Sequence, residues 1–302
     1  MSSTSLYRTL LVISGPTAVG KTSAVVSLAE QYQVPIISAD SRQFFREMKI
    51  GTAYPTEEEL ARATRYFVGM LSITDYYNIY MYEQAVLQLL DRLFEQYPFV
   101  LMEGGSPQYI AAVCDGVDET PDADPQIREY VNNLFARNGI DSLQAQLQLL
   151  DPEFYETVDK KNHKRMIRAI EVCLQTGRPY SSLMCHQKKE RDFTILKYYL
   201  NRPRAELFER INHRVDKMME AGLEAEARQL YPYRNLNALN TVGYKELFDY
   251  FDGTCTLEQA VEDIKTHTRR YAKKQLNWFK KDYRELDASR IEKEGWGQLL
   301  PL

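Results

Sequence analysis

The chain has 302 residues, of which 44% are hydrophobic and 26% are charged, and its formal net charge is −4. This composition is typical of a globular protein with one large domain or two modest ones, and it argues against a uniformly basic nucleic-acid binder. No apolar run approaches the roughly 20 residues that cross a bilayer, so we expect no membrane association. The scattered cysteines form no C-x-x-C pair, which favours a reduced, cytoplasmic protein without zinc or disulfides: Cys114, Cys173, Cys185 and Cys255.

Residues 15–22 form a complete phosphate-binding loop that fits G-x-x-x-x-G-K-[ST]. An apolar run at 10–13 predicts a buried strand before the loop, and residues 23–32 have a helical pattern after it. The backbone N–H groups of such a loop and the helix N-terminus bind a diphosphate or a triphosphate, whereas a simple glycine-rich turn would only join the strand to the helix. The predicted phosphate-binding residues are Gly15, Pro16, Thr17, Ala18, Val19, Gly20, Lys21 and Thr22. Lys21 would reach the outer phosphate, and the Thr22 hydroxyl would hold Mg²⁺.

Strand-like and helix-like segments alternate along the first 115 residues, which predicts a P-loop NTPase-like parallel α/β sheet. A second strand at 34–38 ends just before Asp40. A helical stretch at 81–96 leads to a third strand at 99–102, which ends just before Glu103. Because ligands bind beyond the carboxyl ends of parallel strands, we expect the three strand ends to meet at one anion site.

The pattern changes near residue 115, where a turn-rich segment is followed by amphipathic helical periods. Gly177 and Pro179 mark a helix stop, and residues 193–200 return to strand composition. We therefore predict residues 1–117 as the first part of the α/β core and 118–192 as a mainly helical insertion domain. Residues 193–302 return to the core, ending in helices.

Several side chains at the predicted strand ends have more than one interpretation. Asp40 would bind Mg²⁺, cap a following helix or act as a general base, and its position alone favours the cap. Ser106, after two glycines, places a hydroxyl where it would contact an anion. A set of cations either binds phosphates or is simply solvated: Arg42, Lys164, Arg165, Arg168, Arg202, Arg210 and Arg214.

Residues 264–284 hold five Lys and three Arg against one Asp, with aromatic residues between them. A basic helix with aromatic side chains suits an RNA backbone with bases to stack on, but an amphipathic helix with solvated lysines explains the pattern equally well. From the residues alone, a P-loop kinase acting on a small molecule is the leading hypothesis. That hypothesis leaves the basic helix unexplained.

Taken together, these segments resemble the tRNA dimethylallyltransferase family, also called tRNA isopentenyltransferases. The resemblance is to the bacterial type, because the zinc-finger extension of some eukaryotic relatives is missing. The matching residues follow in order along the chain: 15–22, 37–43, 50–53, Gly104 and Gly105 with Tyr109, Arg165 with 168–172, Arg210 and Ile211 with 214–216, 242–247, and 268–275 with Trp278 and Phe279.

The resemblance implies transfer of a dimethylallyl group from dimethylallyl diphosphate to N6 of adenosine 37 in tRNA, with Mg²⁺ and without ATP. It makes Asp40 the base that accepts the N6 proton, and it places Arg214 and Ser106 among the catalytic residues. The insertion and the basic helix would clamp the anticodon stem-loop of the tRNA, and we expect a monomer. The implied tRNA-binding residues are Asp40, Ser41, Arg42, Gln43, Ser106, Arg128, Lys164, Arg165, Arg168, Arg269, Lys273, Lys274 and Gln275.

Several residues depart from the family pattern, among them Tyr66 and Phe67, which replace a usual histidine pair. Glu103 replaces an apolar residue beside the anion site, where it would assist Mg²⁺ at Thr22 through water or repel the diphosphate. Pro107 removes an N–H from the glycine loop, Tyr54 stands where lysine is common, and Asn277 replaces a threonine. These departures leave a diverged tRNA-binding relative with low or altered activity open as an alternative.

Overall fold

The computed structural model of the chain describes residues 8–184, 188–297 and 299–300, so Cys185 lies outside the described residues. The chain divides into two compact units, Met1–Asp115 with Glu190–Leu302, and Gly116–Lys189. The boundaries predicted from the sequence fall after residues 117 and 192. Each unit is considered by itself below.

The first unit is built on one sheet whose strands all pair in parallel, so the predicted parallel α/β core is confirmed. Its strands are β1 (Thr9–Ser14), β2 (Ile36–Ser38), β3 (Arg65–Tyr66), β4 (Phe99–Gly104), β5 (Thr194–Asn201) and β6 (Arg284–Asp287), in the spatial order β3-β2-β4-β1-β5-β6. Every residue of β1 and β4 is buried, as the unbroken apolar runs of a central parallel strand predict. The register pairs Ser14 with Gly104 and Ser38 with Glu103, which aligns the carboxyl ends of three strands.

Helices cover both faces of this sheet and build the second unit. In chain order they are α1 (Lys21–Tyr32), α2 (Glu57–Arg62), α3 (Ile79–Leu93), α4 (Pro107–Asp115), α5 (Pro125–Leu150), α6 (Pro152–Thr157), α7 (His163–Thr176), α8 (Arg204–Glu220), α9 (Leu223–Leu230), α10 (Tyr244–Phe251), α11 (Leu257–Phe279) and α12 (Ala288–Glu294). Short 3-10 helices lie at Ser181–Leu183, Tyr231–Tyr233 and Asn237–Leu239. Among the described residues, every helix falls short of the length and apolarity of a membrane span.

Alternation along β1 divides the core of the first unit into two layers, because successive side chains of a strand point to opposite faces. Leu11 and Ile13 belong to a cluster with α1, α8 and α12. Leu10 and Val12 belong to a second cluster with α3 and α4. A third cluster joins α8 to α9, α10 and α11, so the C-terminal helices extend the core beyond the sheet.

The second unit has its own core, formed by α5, α6 and α7. Leu143 and Leu147 of α5 pack with Met166 and Ile170 of α7 at the helical spacing that the sequence predicts. Gly139 interrupts α5 with a φ of 71°, a backbone conformation that favours glycine. The predicted helix stop is confirmed, because α7 ends at Thr176 and Gly177 caps it in the left-handed conformation.

Two edge strands lack a signal in the sequence, and both lie where apolar alternation is weak. β3 has only two residues, both partly exposed. β6 follows the basic helix, in a part of the chain for which the sequence predicts only helices to follow the strand at 193–200. In β6 only Leu286 is buried, which leaves no alternating pattern to recognise.

The charged pair of Glu83 and Arg191 fixes the return of the chain to the first unit. The Glu83 side chain is fully buried, and Arg191 Nη2 lies 2.6 Å from its Oε1. The same guanidinium donates to the carbonyl oxygens of Ala112 and Val113 at 3.0 and 2.9 Å. We expect Arg191→Met to lower the free energy of unfolding by roughly 3–5 kcal/mol, because it breaks a buried ion pair by removing one of the two charges.

Urea denaturation would measure this loss. Arg8→Met is the matched control, because Arg8 pairs with the exposed carboxylates of Asp91 and Asp192 and such pairs contribute little. Equal effects of the two substitutions would contradict a special role for the buried pair.

Candidate active site

A cavity of about 380 Å³ opens at the carboxyl ends of β1, β2 and β4, within the size range of small-molecule sites. One part of its wall is ionic, with Lys21, Asp40, Glu103 and Arg214. Another part is apolar, with Val215, Met218, Val242 and Ile264. All of these residues belong to the first unit. The predicted convergence of the three strand ends is therefore confirmed.

The phosphate loop turns from β1 into α1 with glycine where the backbone requires it. Gly15 and Gly20 have φ angles of 146° and 102°, which side-chain-bearing residues rarely adopt. Helix α1 begins at Lys21, and the Lys21 Nζ donates to the carbonyl oxygens of Gly15 and Pro16, each at 2.9 Å. The loop, its lysine and a helix N-terminus thus face one cavity.

Burial lowers the pKa of the Lys21 ammonium to about 8. The nearby carboxylates of Glu103 and Asp40 oppose that shift, and the Arg214 guanidinium adds to it. The desolvation of the ammonium is the larger effect. Lys21 is therefore close to losing its charge near neutral pH, before an anion enters.

Asp40 follows β2, and the segment after it is a turn. The Asp40 Oδ1 accepts the backbone N–H of Arg42 at 3.1 Å, and the N–H of Gln43 donates to the Asp40 carbonyl oxygen. The interpretation of Asp40 as a helix cap was wrong, because the next helix, α2, begins only at Glu57. Burial raises the pKa of the Asp40 carboxyl, against the Arg42 N–H bond and the Lys21 charge. A buried carboxyl with a raised pKa is suited to accepting a proton.

Glu103 is the penultimate residue of the buried strand β4, and its carboxylate makes two contacts. The Thr22 hydroxyl donates to its Oε1 at 3.2 Å, and Arg65 from β3 forms a buried ion pair with its Oε2. Only 1% of the Arg65 side chain and 7% of the Glu103 side chain are exposed. Arg65 therefore offsets the negative charge that Glu103 brings to the anion site.

The glycine loop after β4 packs closely against the loop after β2. A Cβ on Gly104 would lie 2.3 Å from the Ala39 carbonyl oxygen, so only glycine fits. The buried Ser106 hydroxyl accepts the Ser41 N–H at 3.1 Å. Pro107 is the first residue of α4, a helical position that needs no N–H donor, so this departure from the family pattern fits the fold.

Arg214 lies on α8, where its side chain lines the cavity. Among the described residues, its guanidinium has no hydrogen-bond or ion-pair partner. Burial lowers its pKa, and the carboxylates of Asp40, Glu59 and Glu103 oppose that shift. A desolvated guanidinium without a partner is a ready site for an anion.

Arg42 and Gln43 support the rim of the cavity. The Arg42 guanidinium donates to the carbonyl oxygens of Asn237 and Ala238, each at 2.9 Å. The Gln43 amide donates to the carbonyl oxygen of Ala53 at 3.1 Å. Ser41 also lines the cavity.

Helix α11 carries the basic segment, and one buried side chain on it reaches the phosphate loop. The Gln275 Oε1 accepts the Thr17 N–H at 3.0 Å, and its Nε2 donates to the Gly105 carbonyl oxygen at 2.7 Å. One turn earlier, Tyr271 lines the cavity with 42% of its surface exposed. Gln275 thus ties α11 to two loops of the cavity.

The other cations predicted to bind tRNA divide into paired and solvated residues. Arg269 donates to Asn212, whereas Lys273 and Lys274 are exposed. In the second unit, Arg128 and Arg168 both contact the buried Glu171, and Lys164 and Arg165 are exposed. The paired residues have a structural role that their sequence positions do not reveal.

The apolar wall is the part of the site that has no signal in the sequence. Val215 and Met218 lie on α8, Ile264 lies on α11, and Val242 precedes α10. In the sequence these residues look like ordinary core positions of amphipathic helices. Tyr54 and Asn277, two of the departures from the family pattern, do not line this cavity.

Fold and site together define a P-loop α/β protein with a carboxylate and an apolar wall beside its anion site. The family of IPP transferases matches residues 43–282. A tRNA dimethylallyltransferase 2 from Porphyromonas gingivalis is 54% identical over 91% of this chain and 91% of its own length. A tRNA dimethylallyltransferase 1 from Bacteroides fragilis is 52% identical over 91% of both chains. The chain therefore belongs to the IPP transferase family, and the resemblance found in its sequence is confirmed.

Solved structures agree with this assignment. A full-length tRNA isopentenylpyrophosphate transferase from Bacillus halodurans is 32% identical, with a TM-score of 0.67, covering 93% of this chain and 90% of that chain. A eukaryotic dimethylallyltransferase has a TM-score of 0.79 at 23% identity, covering 96% of this chain and 76% of that chain, and supports the fold alone.

The lowered pKa of Lys21 predicts how anion binding depends on pH. The ammonium is charged below about 8 and loses its charge above that value. Pyrophosphate affinity should therefore fall as pH rises from 7 to 9, by at most about tenfold per pH unit above the Lys21 pKa. Isothermal titration calorimetry would measure it, with proton uptake on binding seen in buffers of different ionisation enthalpy.

Lys21→Met is the control. It lacks the titrating ammonium, so any pH dependence of its binding comes from the titration of pyrophosphate itself. We expect weak binding in this variant without the step that depends on Lys21. The same pH dependence in both proteins would contradict the assignment of that step to Lys21.

Proposed function

We propose that this protein transfers a dimethylallyl group from dimethylallyl diphosphate to N6 of adenosine 37 in tRNA. The observation that carries the proposal is the pairing of a cationic phosphate loop with an apolar wall in one cavity. A diphosphate joined to a short branched hydrocarbon needs a cationic surface for its phosphates and an apolar surface for its hydrocarbon chain. The names of the relatives in Porphyromonas gingivalis and Bacteroides fragilis support the same reaction.

The cationic end suits the leaving group of this reaction. Breaking the allylic carbon–oxygen bond places negative charge on the departing diphosphate oxygens. Lys21, Arg214 and the Thr22 residue at the N-terminus of α1 line the cavity and would be donors around that position. Such preorganised donors stabilise developing charge most strongly in a desolvated site.

The apolar end suits the hydrocarbon. Val215, Met218, Val242 and Ile264 offer methyl and methylene groups but no hydrogen-bonding side chain. Burial of a dimethylallyl group there is favourable by the usual hydrophobic contribution of about 0.8 kcal/mol per methylene. This wall also keeps water away from the allylic carbon.

Asp40 is suited to accept a proton from the nucleophile, the N6 amine of adenine. The N6 amine of adenine is weak and becomes acidic as its nitrogen bonds to the allylic carbon, so a base must accept one proton. The Asp40 carboxyl lines the same cavity, and its pKa is raised by burial. The adenine would leave the base stack to reach this site, as bases do in other base-modifying enzymes.

Mg²⁺ would be held at Thr22 with the diphosphate oxygens. The Thr22 hydroxyl donates a hydrogen bond to Glu103, so the lone pairs of the Thr22 oxygen stay free to bind a cation. Among the described residues, no cluster of three His, Cys, Asp or Glu is arranged to hold a metal, which fits an ion bound mainly by substrate phosphates. When bound, the ion neutralises part of the charge of the leaving group.

The exposed face of α11 suits the RNA. Tyr271, Lys274 and Trp278 follow one another at helical spacing, and Tyr271 lines the cavity. Trp278 is 46% exposed, so its ring is available for stacking on a base. We propose that Lys273 and Lys274 contact tRNA phosphates beside the cavity. Action as a monomer in the cytoplasm remains a prediction from the sequence.

Mass spectrometry of an anticodon stem-loop with adenosine 37 tests the reaction, after incubation with protein, Mg²⁺ and dimethylallyl diphosphate. We expect a mass gain of one dimethylallyl group. Asp40→Asn should lower the rate by about 10²–10⁴-fold, because it removes the proton acceptor while keeping the side-chain shape.

Asp91→Asn is the matched control, since Asp91 is exposed and remote from the cavity. Absence of any mass gain with the unaltered protein, while the stem-loop still binds, would favour the diverged tRNA-binding relative. An Asp40→Asn rate equal to that of the control would contradict the role of Asp40 alone.

A second prediction concerns RNA binding. Replacing Lys273 and Lys274 by Ala should weaken stem-loop binding at low salt and reduce the slope of log affinity against log salt by about one to two, because each phosphate contact releases a counterion. Fluorescence anisotropy over a salt series measures both. Lys293→Ala on α12 is the control, and a slope unchanged in the double variant would contradict the proposed contacts.

A further inference from the structure

Two arginines near the start of α8 contact the phosphate loop from behind. Arg202 Nε donates to the Val19 carbonyl oxygen at 2.7 Å, and Arg210 Nε donates to the Ala18 carbonyl oxygen at 3.0 Å. Neither arginine lines the cavity. They therefore do not supply positive charge directly to the phosphates, which was one interpretation of their positions in the sequence.

One carboxylate holds both guanidinium groups. Glu292 on α12 forms an ion pair with Arg202 and lies 3.4 Å from Arg210 Nη2. Hydrogen bonding from Arg202 also holds the pKa of the Glu292 carboxyl below its usual value. A second acid, Glu206, bonds Arg202 Nη1 at 2.6 Å, so the charges in this cluster balance.

The loop segment under these contacts has an unfavourable backbone conformation. Ala18 has a φ of 64°, a left-handed conformation that is unfavourable for a residue with a side chain. Gly20 lies directly beneath the charged cluster, because a Cβ built on it would lie 3.1 Å from Glu292 Oε1 and 3.2 Å from Arg202 Nη2. Contacts from outside the loop are needed to hold such a conformation.

Because the peptide bond is planar, contacts to carbonyl oxygens on the outer side of the phosphate loop also set the direction of the N–H groups on its inner side. In a trans peptide the carbonyl oxygen and the following N–H point in opposite directions. When Arg202 holds the Val19 carbonyl oxygen, it directs the Gly20 N–H away from the arginine. When Arg210 holds the Ala18 carbonyl oxygen, it directs the Val19 N–H inward, where it lies 3.4 Å from the Pro16 carbonyl oxygen.

We propose that Arg202, Arg210 and Glu292 are positioning residues that set the anion-binding conformation of the phosphate loop from its outer side. This inference rests on the proposed function of the cavity as a diphosphate site. It makes α12, near the end of the chain and outside the cavity, a determinant of donor affinity.

The experiment measures pyrophosphate affinity by isothermal titration calorimetry, at a pH below the Lys21 pKa. Arg210→Met is the first variant, because 39% of the Arg210 side chain is exposed and the fold should tolerate its loss. We expect affinity to fall about tenfold, the value of one hydrogen bond to a charged donor. Glu292→Gln should weaken binding severalfold, because it loosens both arginines together.

Arg210→Lys separates positioning from simple charge. An ammonium group keeps the charge but cannot bond the Ala18 carbonyl oxygen and Glu292 together as the planar guanidinium does. We therefore expect Lys to restore less than half of the lost affinity, in logarithmic terms. Wild-type affinity in Arg210→Lys would overturn the proposal in favour of charge alone.

Glu294→Gln is the matched control, because it is the same substitution on the same helix in an exposed pair with Arg290. Its affinity should equal that of the unaltered protein. Affinity within twofold of wild type in both Arg210→Met and Glu292→Gln would overturn the proposal. If the unaltered protein itself fails to bind pyrophosphate, the proposed donor site fails instead.

Thermal melting separates positioning from general loss of structure. Stem-loop affinity gives a second reference, because the proposed phosphate contacts of Lys273 and Lys274 lie on the exposed face of α11 and not on the phosphate loop. Loss of pyrophosphate binding with an unchanged melting temperature and stem-loop affinity is the expected result. A parallel loss of both ligands, with a lower melting temperature, would show a structural role only and overturn the proposal.

Discussion

Desolvation of opposite charges at the end of the sheet is the constraint on which the site depends. Lys21, Asp40 and Arg214 share one cavity, and burial moves the pKa of each toward its neutral form. The attraction between Asp40 and each of the two cations opposes that shift, whereas Arg214 adds to the shift of Lys21. An anion entering the cavity reinforces the cations and competes with the carboxylates. In the proposed function, the same arrangement would bind a diphosphate and hold a carboxyl group ready to accept a proton.

Much of the fold followed from the sequence because the central elements carry strong patterns. The buried strands β1 and β4 are built on apolar runs, and the loop between β1 and α1 has glycine at two of its three positions with positive φ, Ala18 being the third. The edge strands were missed because pairing there depends on a neighbour rather than on local pattern. Arg65 shows the reason, since it lies in a two-residue strand and its side chain is buried in an ion pair with Glu103 of β4, far away in the sequence.

The sequence predicted the polar residues of the site, because their types and positions are unusual. It did not predict the apolar residues of the site, because they resemble core residues. Asp40, Lys21 and Thr22 stand at strand ends or in a motif, so their places in the sequence are informative by themselves. Met218 and Ile264 differ in no visible way from core residues, and only the packing of α8 against α11 brings them to the cavity. Arg202 and Arg210 were noticed as cations, but their direction relative to the loop depends on the tertiary fold.

The bonds of Gln275 have a mechanical consequence for the enzyme. A single buried amide joins α11 to Thr17 of the phosphate loop and to Gly105 of the glycine loop. A displacement of α11 would therefore act through this one side chain on both loops that line the cavity. The face of α11 that is proposed to contact tRNA is connected through one side chain to the cavity that is proposed to hold dimethylallyl diphosphate. A change in the position of α11 would therefore change the shape of the cavity.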